Sequence, residues 1–104
     1  MSVIQFGDLL LANHKSALKR IRSNERKRIR NRYWRTRART EIKKTRAFIE
    51  AGELESARQS AREAMRVLDK AAVKGVLHHN NAARRKGRLM KRLAELEKRV
   101  QQEA

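Results

Sequence analysis

The sequence has no cysteine and no proline, only four glycines, and aromatic residues make up 4% of it. Without thiols it can build neither a disulfide framework nor a thiolate metal site. With so few aromatics in 104 residues, burial falls to Leu, Ile, Val and Ala, and a large packed core is excluded. Places to turn are rare. No apolar run approaches the roughly 20 residues that a transmembrane helix needs. Acids are also scarce, 11 against 28 Lys and Arg, for a net charge of +17 and an isoelectric point near 11.6. Charges of one sign repel within a compact state, so a polyanionic partner is expected, nucleic acid first and an anionic membrane surface second.

The charge is uneven. Residues 1–50 hold 15 basic and 4 acidic side chains, and all 15 cations lie between Lys15 and Arg46 with only Glu25 and Glu41 among them. The run Arg26-Lys27-Arg28-Ile29-Arg30-Asn31-Arg32 puts cations on every side of a helix, so it can meet phosphates on more than one strand. Arginine suits this because its guanidinium fork bonds phosphate bidentately and stacks on bases. A second cluster, Arg84, Arg85, Lys86, Arg88, Lys91 and Arg92, lies near the other end. These are two separate basic surfaces at the level of sequence. The bland alternative for such runs is a solvated helix face.

The spacing predicts three helices, from about His14 to Glu50, Glu53 to Val73 and His79 to Gln101, with Gly52 and Gly75 as C-terminal caps in the left-handed region. Connections this short make neighbouring helices antiparallel. Leu54, Ala57, Ala61, Ala64, Leu68 and Ala71 recur at steps of three and four in the second helix, the pattern of an amphipathic core helix. Leu89, Leu93, Leu96 and Val100 form the stripe of the third, beside a basic face. In the first helix the stripe Ala38, Ile42, Thr45 and Ile49 dies out near Trp34. At 1.5 Å per residue the first helix would run about 55 Å and the second about 32 Å. The expectation is therefore an all-α antiparallel three-helix bundle with a long, protruding basic first helix. Leu does not repeat through residues 22–41, which excludes a zipper there.

Tyr33 and Trp34 interrupt the basic stretch. Stacking on a base is one role for them, but packing at the end of the core stripe is the favoured one. His78 and His79 lack suitably spaced acids, so no metal site is expected and contact with phosphate or RNA is preferred. Ser16, Ser23, Ser56 and Ser60 have no base and acid nearby, and no Gly-rich phosphate loop occurs. No catalytic residue, cofactor or small-molecule substrate is expected. A membrane-surface helix would need a bulky apolar face, and residues 22–41 offer mainly Ile29, Tyr33 and Trp34. A basic DNA-compacting or regulatory nucleic-acid-binding protein is the alternative that composition leaves open.

Asn13-His14-Lys15-Ser16-Ala17-Leu18-Lys19-Arg20-Ile21-Arg22, Arg30-Asn31, Arg39-Thr40-Glu41-Ile42-Lys43-Lys44 and Ile49-Glu50-Ala51-Gly52 follow one another in order. Asp69-Lys70-Ala71-Ala72 and Lys74-Gly75-Val76-Leu77-His78-His79-Asn80-Asn81-Ala82-Ala83-Arg84-Arg85-Lys86 come after them. Together these motifs resemble the family of ribosomal protein twenty of the bacterial small subunit, over about residues 12–101. The resemblance implies a cytoplasmic, ribosome-bound protein that contacts small-subunit ribosomal RNA directly during assembly, with other small-subunit proteins as neighbours. It implies RNA contacts from Lys15, Ser16, Lys19, Arg20, Asn31, Arg39, Thr40, Lys43 and Lys44, and from Lys74, His78, Asn80, Arg84 and Lys86. The basic clusters themselves add Arg22, Arg28, Arg35, Arg88 and Lys91. Residues 13–101 are expected to form the RNA-binding domain and 102–104 a tail. Residues 1–12 are expected to be a disordered extension or a start-site artefact, since Leu11-Ala12-Asn13 stands where family members begin.

Overall fold

In a computed structural model the structure describes residues 3–103, with side chains from residue 13 onward. The described residues form three helices, α1 (Val3–Ala51), α2 (Leu54–Val73) and α3 (His79–Glu103), with no strand among them. The all-α order and the two turns are those expected. Helix α1 begins at Val3 rather than near His14, in a stretch with no proline to end it. The side chains of the expected extension, residues 1–12, lie outside the described residues, as does Ala104 at the end of the expected tail. Among the described residues no helix is long and apolar enough to cross a membrane.

Both turns have the same construction. Gly52 and Gly75 sit at φ +76° and +75°, a region open to glycine because it lacks a Cβ. The Gly52 N–H donates to the Ile49 carbonyl at 3.1 Å and the Glu53 N–H to that of Phe48 at 3.0 Å. At the second turn Gly75 donates to Ala72 at 3.0 Å and Val76 to Ala71 at 2.9 Å. Each is a paired 5→2 and 6→1 closure that satisfies carbonyls left over at a helix end. Helix α3 starts on a side-chain cap, with His78 Nδ1 accepting the Asn80 N–H at 3.2 Å. That bond satisfies one of the four N–H groups left without an intrahelical partner.

The chain divides into two compact units, Met1–Arg32 and Tyr33–Ala104. In the first, every described side chain from Asn13 to Arg30 is exposed except the half-buried Ser23, and Asn31 is half-buried. Leu18, Ile21 and Ile29 form a thin line along one side and remain exposed.

The second unit is an antiparallel three-helix bundle. Ile49 of α1 packs with Ala57 and Ala61 of α2 and with Leu93 and Leu96 of α3. A second cluster joins Ala38 of α1, Val67 and Leu68 of α2 and Ala82 of α3, with Trp34 and Ile42 against it. Six of the thirteen buried apolar residues are alanines, so burial per residue is small and depends on close approach of the helices.

A polar pair lies within this core. Thr45 and Ser60 are both buried, and their hydroxyl oxygens are 2.8 Å apart. Thr45 Oγ1 also lies 2.9 Å from the Glu41 carbonyl. A carbonyl can only accept, so the single Thr45 proton goes to Glu41 and Ser60 is the donor to Thr45. The consequence is an asymmetry between variants. Thr45→Val, which strands the Ser60 donor, is expected to cost about 1–3 kcal/mol, and Ser60→Ala about 0.5–1.5 kcal/mol. The double variant should be no less stable than Thr45→Val alone. Urea denaturation of the three proteins checks the order, and a larger loss from Ser60→Ala than from Thr45→Val would refute the assigned direction.

Candidate nucleic-acid interface

Helix α2 carries acids that its neighbours use. Glu63 accepts from Arg37 of α1 at 3.1 Å, and Asp69 from Lys86 of α3 at 2.7 Å. Arg58 of α2 reaches Glu97 of α3 at 3.1 Å and Glu55 at 2.8 Å. The hydrogen bond to Glu97 is the main cause that raises the Arg58 pKa above its ordinary value, against desolvation. Arginine is already fully protonated near neutral pH, so this changes no charge.

The seam between α1 and α3 is different. A groove of about 460 Å³ is lined there by Arg39, Ile42, Lys43 and Arg46 of α1 and Arg85, Arg88, Leu89 and Arg92 of α3. Both helices run antiparallel to α2, so they run in the same direction. The i, i+3/i+4, i+7 spacing on α1 therefore lines up with the same spacing on α3. Six cations border the groove, Ile42 and Leu89 contribute the apolar lining, and no carboxylate is among the lining residues. Among the described residues none of the six takes part in an ion pair. Arg85 is held by its Nε–H donating to Asn81 Oδ1 at 2.9 Å. The acid-free stretch ends toward the α3 C-terminus, where Glu95 joins Arg92, Lys98 and Arg99 around a second hollow. The two basic surfaces that are separate along the sequence thus meet in space over Arg39–Arg46 and Arg85–Arg92. A groove with this charge lining attracts an anionic ligand, and like-charge repulsion across it falls when the ligand is in place.

A model of the family described as ribosomal protein S20 matches residues 12–94. The chain belongs to the ribosomal protein S20 family. Small ribosomal subunit protein bS20 of Thermomicrobium roseum is 55% identical over 93 residues, covering 88% of this chain and 94% of its own. Its counterpart in a Roseiflexus species is 54% identical over 84 residues, 81% of this chain and 91% of its own. That of Beutenbergia cavernae is 44% identical over 86 residues, and all of that protein is covered. Ribosomal protein S20 is a structural ribosomal component and not an enzyme, the class that the family resemblance implied. The resemblance read from the separated motifs is a true membership.

Against this S20 fold the expected contact residues sort into three groups. Lys15, Ser16, Lys19, Arg20, Arg22 and Arg28 are exposed in the first unit, where nine cations stand against Glu25 between Lys15 and Arg32. Arg28 bonds Glu25 at 2.7 Å with both side chains more than half exposed, and such a pair is weak enough for a phosphate to displace. Arg39, Lys43 and Arg88 line the groove, while Arg35, Lys44, Arg84 and Lys91 are exposed elsewhere in the second unit. Asn31 is half-buried in the first unit, and the other expected contacts have internal partners. Thr40 donates to the Thr36 carbonyl at 2.9 Å, and His78 caps α3 through Asn80. Lys86 is bound to Asp69, and the Lys74 ammonium lies 5.4 Å from the centroid of the Trp34 ring. Trp34 packs against the second core cluster and meets Tyr33 edge-on at 5.3 Å, in keeping with its favoured packing role. The His78 and His79 rings stack at 4.2 Å.

Arg46, Arg85 and Arg92 border the groove without being among the expected contacts. Each belongs to a basic run that the sequence displays, but the runs do not say which of their members face one another.

Proposed function

We propose that this chain is a structural constituent of the small ribosomal subunit in the cytoplasm that binds small-subunit ribosomal RNA directly and stabilises its folding during assembly. The observation that carries this reading is the six-cation groove between α1 and α3, a polyanion-binding surface in a member of a ribosomal protein family. Cations on the helices displace counterions condensed on the RNA. Because the two helices present them at fixed, matched positions, neutralisation is coupled to placement of the strands. Base edges in the A-form major groove are out of reach of side chains, so recognition is of shape, phosphates and 2′-hydroxyls. The first-unit cations Lys15, Lys19, Arg20, Arg22 and Arg28, with Ser16 and Asn31, extend the contact. Residues 13–101 form the RNA-binding domain, and other small-subunit proteins are its neighbours in the particle.

The groove is tested by replacing Arg39, Arg88 and Arg92 together with Gln and comparing a control in which Arg62, Arg66 and Arg99 are so replaced. Both variants lose the same charge. If each groove cation holds a phosphate, the slope of log affinity for small-subunit ribosomal RNA against log salt should fall by about three units in the first variant and by about zero in the second. Equal losses in both would mean that the groove is no special site. Equal competition by duplex DNA would favour a general nucleic-acid-compacting protein instead.

A further inference from the structure

Beside the bundle's second core cluster is a hollow of about 430 Å³ lined by Trp34, Asp69, Lys70, Val73 and Lys74. Its chemistry differs from that of the groove. Val73 is 88% exposed, an apolar side chain that shares the hollow with the Trp34 indole, over whose ring the Arg37 guanidinium also lies, 5.7 Å from the centroid. Lys74 places its ammonium 5.4 Å from that ring's centroid, and Lys70 lines the same hollow. The one acid, Asp69, already accepts a 2.7 Å bond from Lys86, so its charge is largely offset. The hollow therefore suits a ligand with a flat apolar face and an attached anion. A nucleotide has that combination, with a base to lie against Val73 and the indole and a phosphate for the lysines. Aromatic contact of this kind accepts any base, because every base has a π-face.

We propose that the Trp34–Val73 hollow is a nucleobase-binding site that takes one unpaired nucleotide of the RNA, with its phosphate on Lys70 and Lys74. The proposal rests on the RNA-binding reading above and adds a base-dependent contact to the shape and phosphate contacts of the groove. Trp34 then has two roles, packing with one part of its ring and offering the rest to the ligand.

Trp34 is the only tryptophan, so its emission reports on this hollow. The full chain is titrated with a ten-nucleotide adenylate RNA and with the same oligomer made abasic throughout, which has the same charge and no bases. Affinity is read by anisotropy and the hollow by Trp34 emission. The adenylate oligomer should bind about 5- to 30-fold more tightly, within the range that a single base stack supplies, and quench Trp34, while the abasic one binds without quenching. Val73→Asn, made at a side chain exposed enough to leave the fold intact, should remove most of the base-dependent gain. Binding of both oligomers with equal affinity and a silent Trp34 would overturn the nucleobase site and leave RNA binding standing. Binding of neither would overturn the nucleobase site, while the reading of folded ribosomal RNA would stand or fall on the groove variants above. If an acidic, tyrosine-rich peptide quenches Trp34 as strongly as the adenylate oligomer, the hollow belongs to a protein partner and the nucleobase assignment is wrong.

Discussion

Raising monovalent salt from about 50 to about 200 mM is expected to weaken binding to small-subunit ribosomal RNA by about 10³- to 10⁵-fold, if about six to ten phosphates are neutralised. The span from Lys15 to Arg46 alone carries 15 cations against two acids, a net of +13, and α3 adds Arg85, Arg88 and Arg92 to the groove. Each phosphate contact releases condensed counterions, so log affinity falls linearly with log salt and the slope counts the contacts. Such a dependence is a property of the interface rather than of folding, because the ion pairs between helices are few and partly exposed and surface pairs contribute about 0–1 kcal/mol each. Filter binding across the salt range, with circular dichroism at each point, separates the two. A nearly flat titration would sink the electrostatic account of binding.

Amides from His14 to Arg32 in the free protein are expected to exchange with solvent close to the rate of an unprotected chain. Those from Ala57 to Ala71 should be slowed by about 10³-fold or more, since core amides open only with the bundle. Helix geometry by itself does not confer protection. Most helical stability in proteins comes from packing an apolar face, and Leu18, Ile21 and Ile29 are 41%, 64% and 60% exposed. Like charges at i and i+4 further destabilise the segment, as at Arg22 and Arg26 or Arg26 and Arg30. RNA phosphates remove that repulsion, so protection of this segment should rise by about two orders of magnitude or more in the complex, at a cost in ordering entropy. Hydrogen exchange read by mass spectrometry on the free and RNA-bound protein at physiological salt measures both states. Strong protection of His14–Arg32 without RNA would show that the helix stands alone, and the coupling of folding to binding would have to be abandoned.

Much of the fold was legible because it depends on neighbours three or four residues away. The recurrence of Ala57, Ala61, Ala64, Leu68 and Ala71 marked the buried side of α2, and all five are buried. Leu89, Leu93 and Leu96 did the same for α3, and the two glycines marked the turns by the only residue type that adopts their backbone readily. Burial of Ser60 was not legible. A serine within an otherwise apolar stripe reads as surface until Thr45 on another helix supplies its acceptor. His78 was assigned to RNA from the family resemblance and the basic cluster that follows it; its role in the fold, Nδ1 accepting an N–H at the start of α3 while the residue stays exposed, was not legible. That bond depends on one imidazole orientation at a helix boundary, which composition does not encode.

The sequence by itself therefore determined the helical class, the turns, the excess of basic charge and the family, because charge count, helical period and motif order are properties of the chain read along its length. Only the tertiary structure decided which cations act together. Along the chain, Arg39 and Arg85 stand in separate runs. The antiparallel passage through α2 turns α1 and α3 in the same direction and brings those runs onto one groove, while Glu63, Asp69 and Glu97 are taken up at the seams with α2. The reason is geometric: the rotation of each helix about its axis and its register against the next are set by the packing of Ala38, Ile49, Leu68 and Leu93. That packing fixes which side chains face one another across a seam.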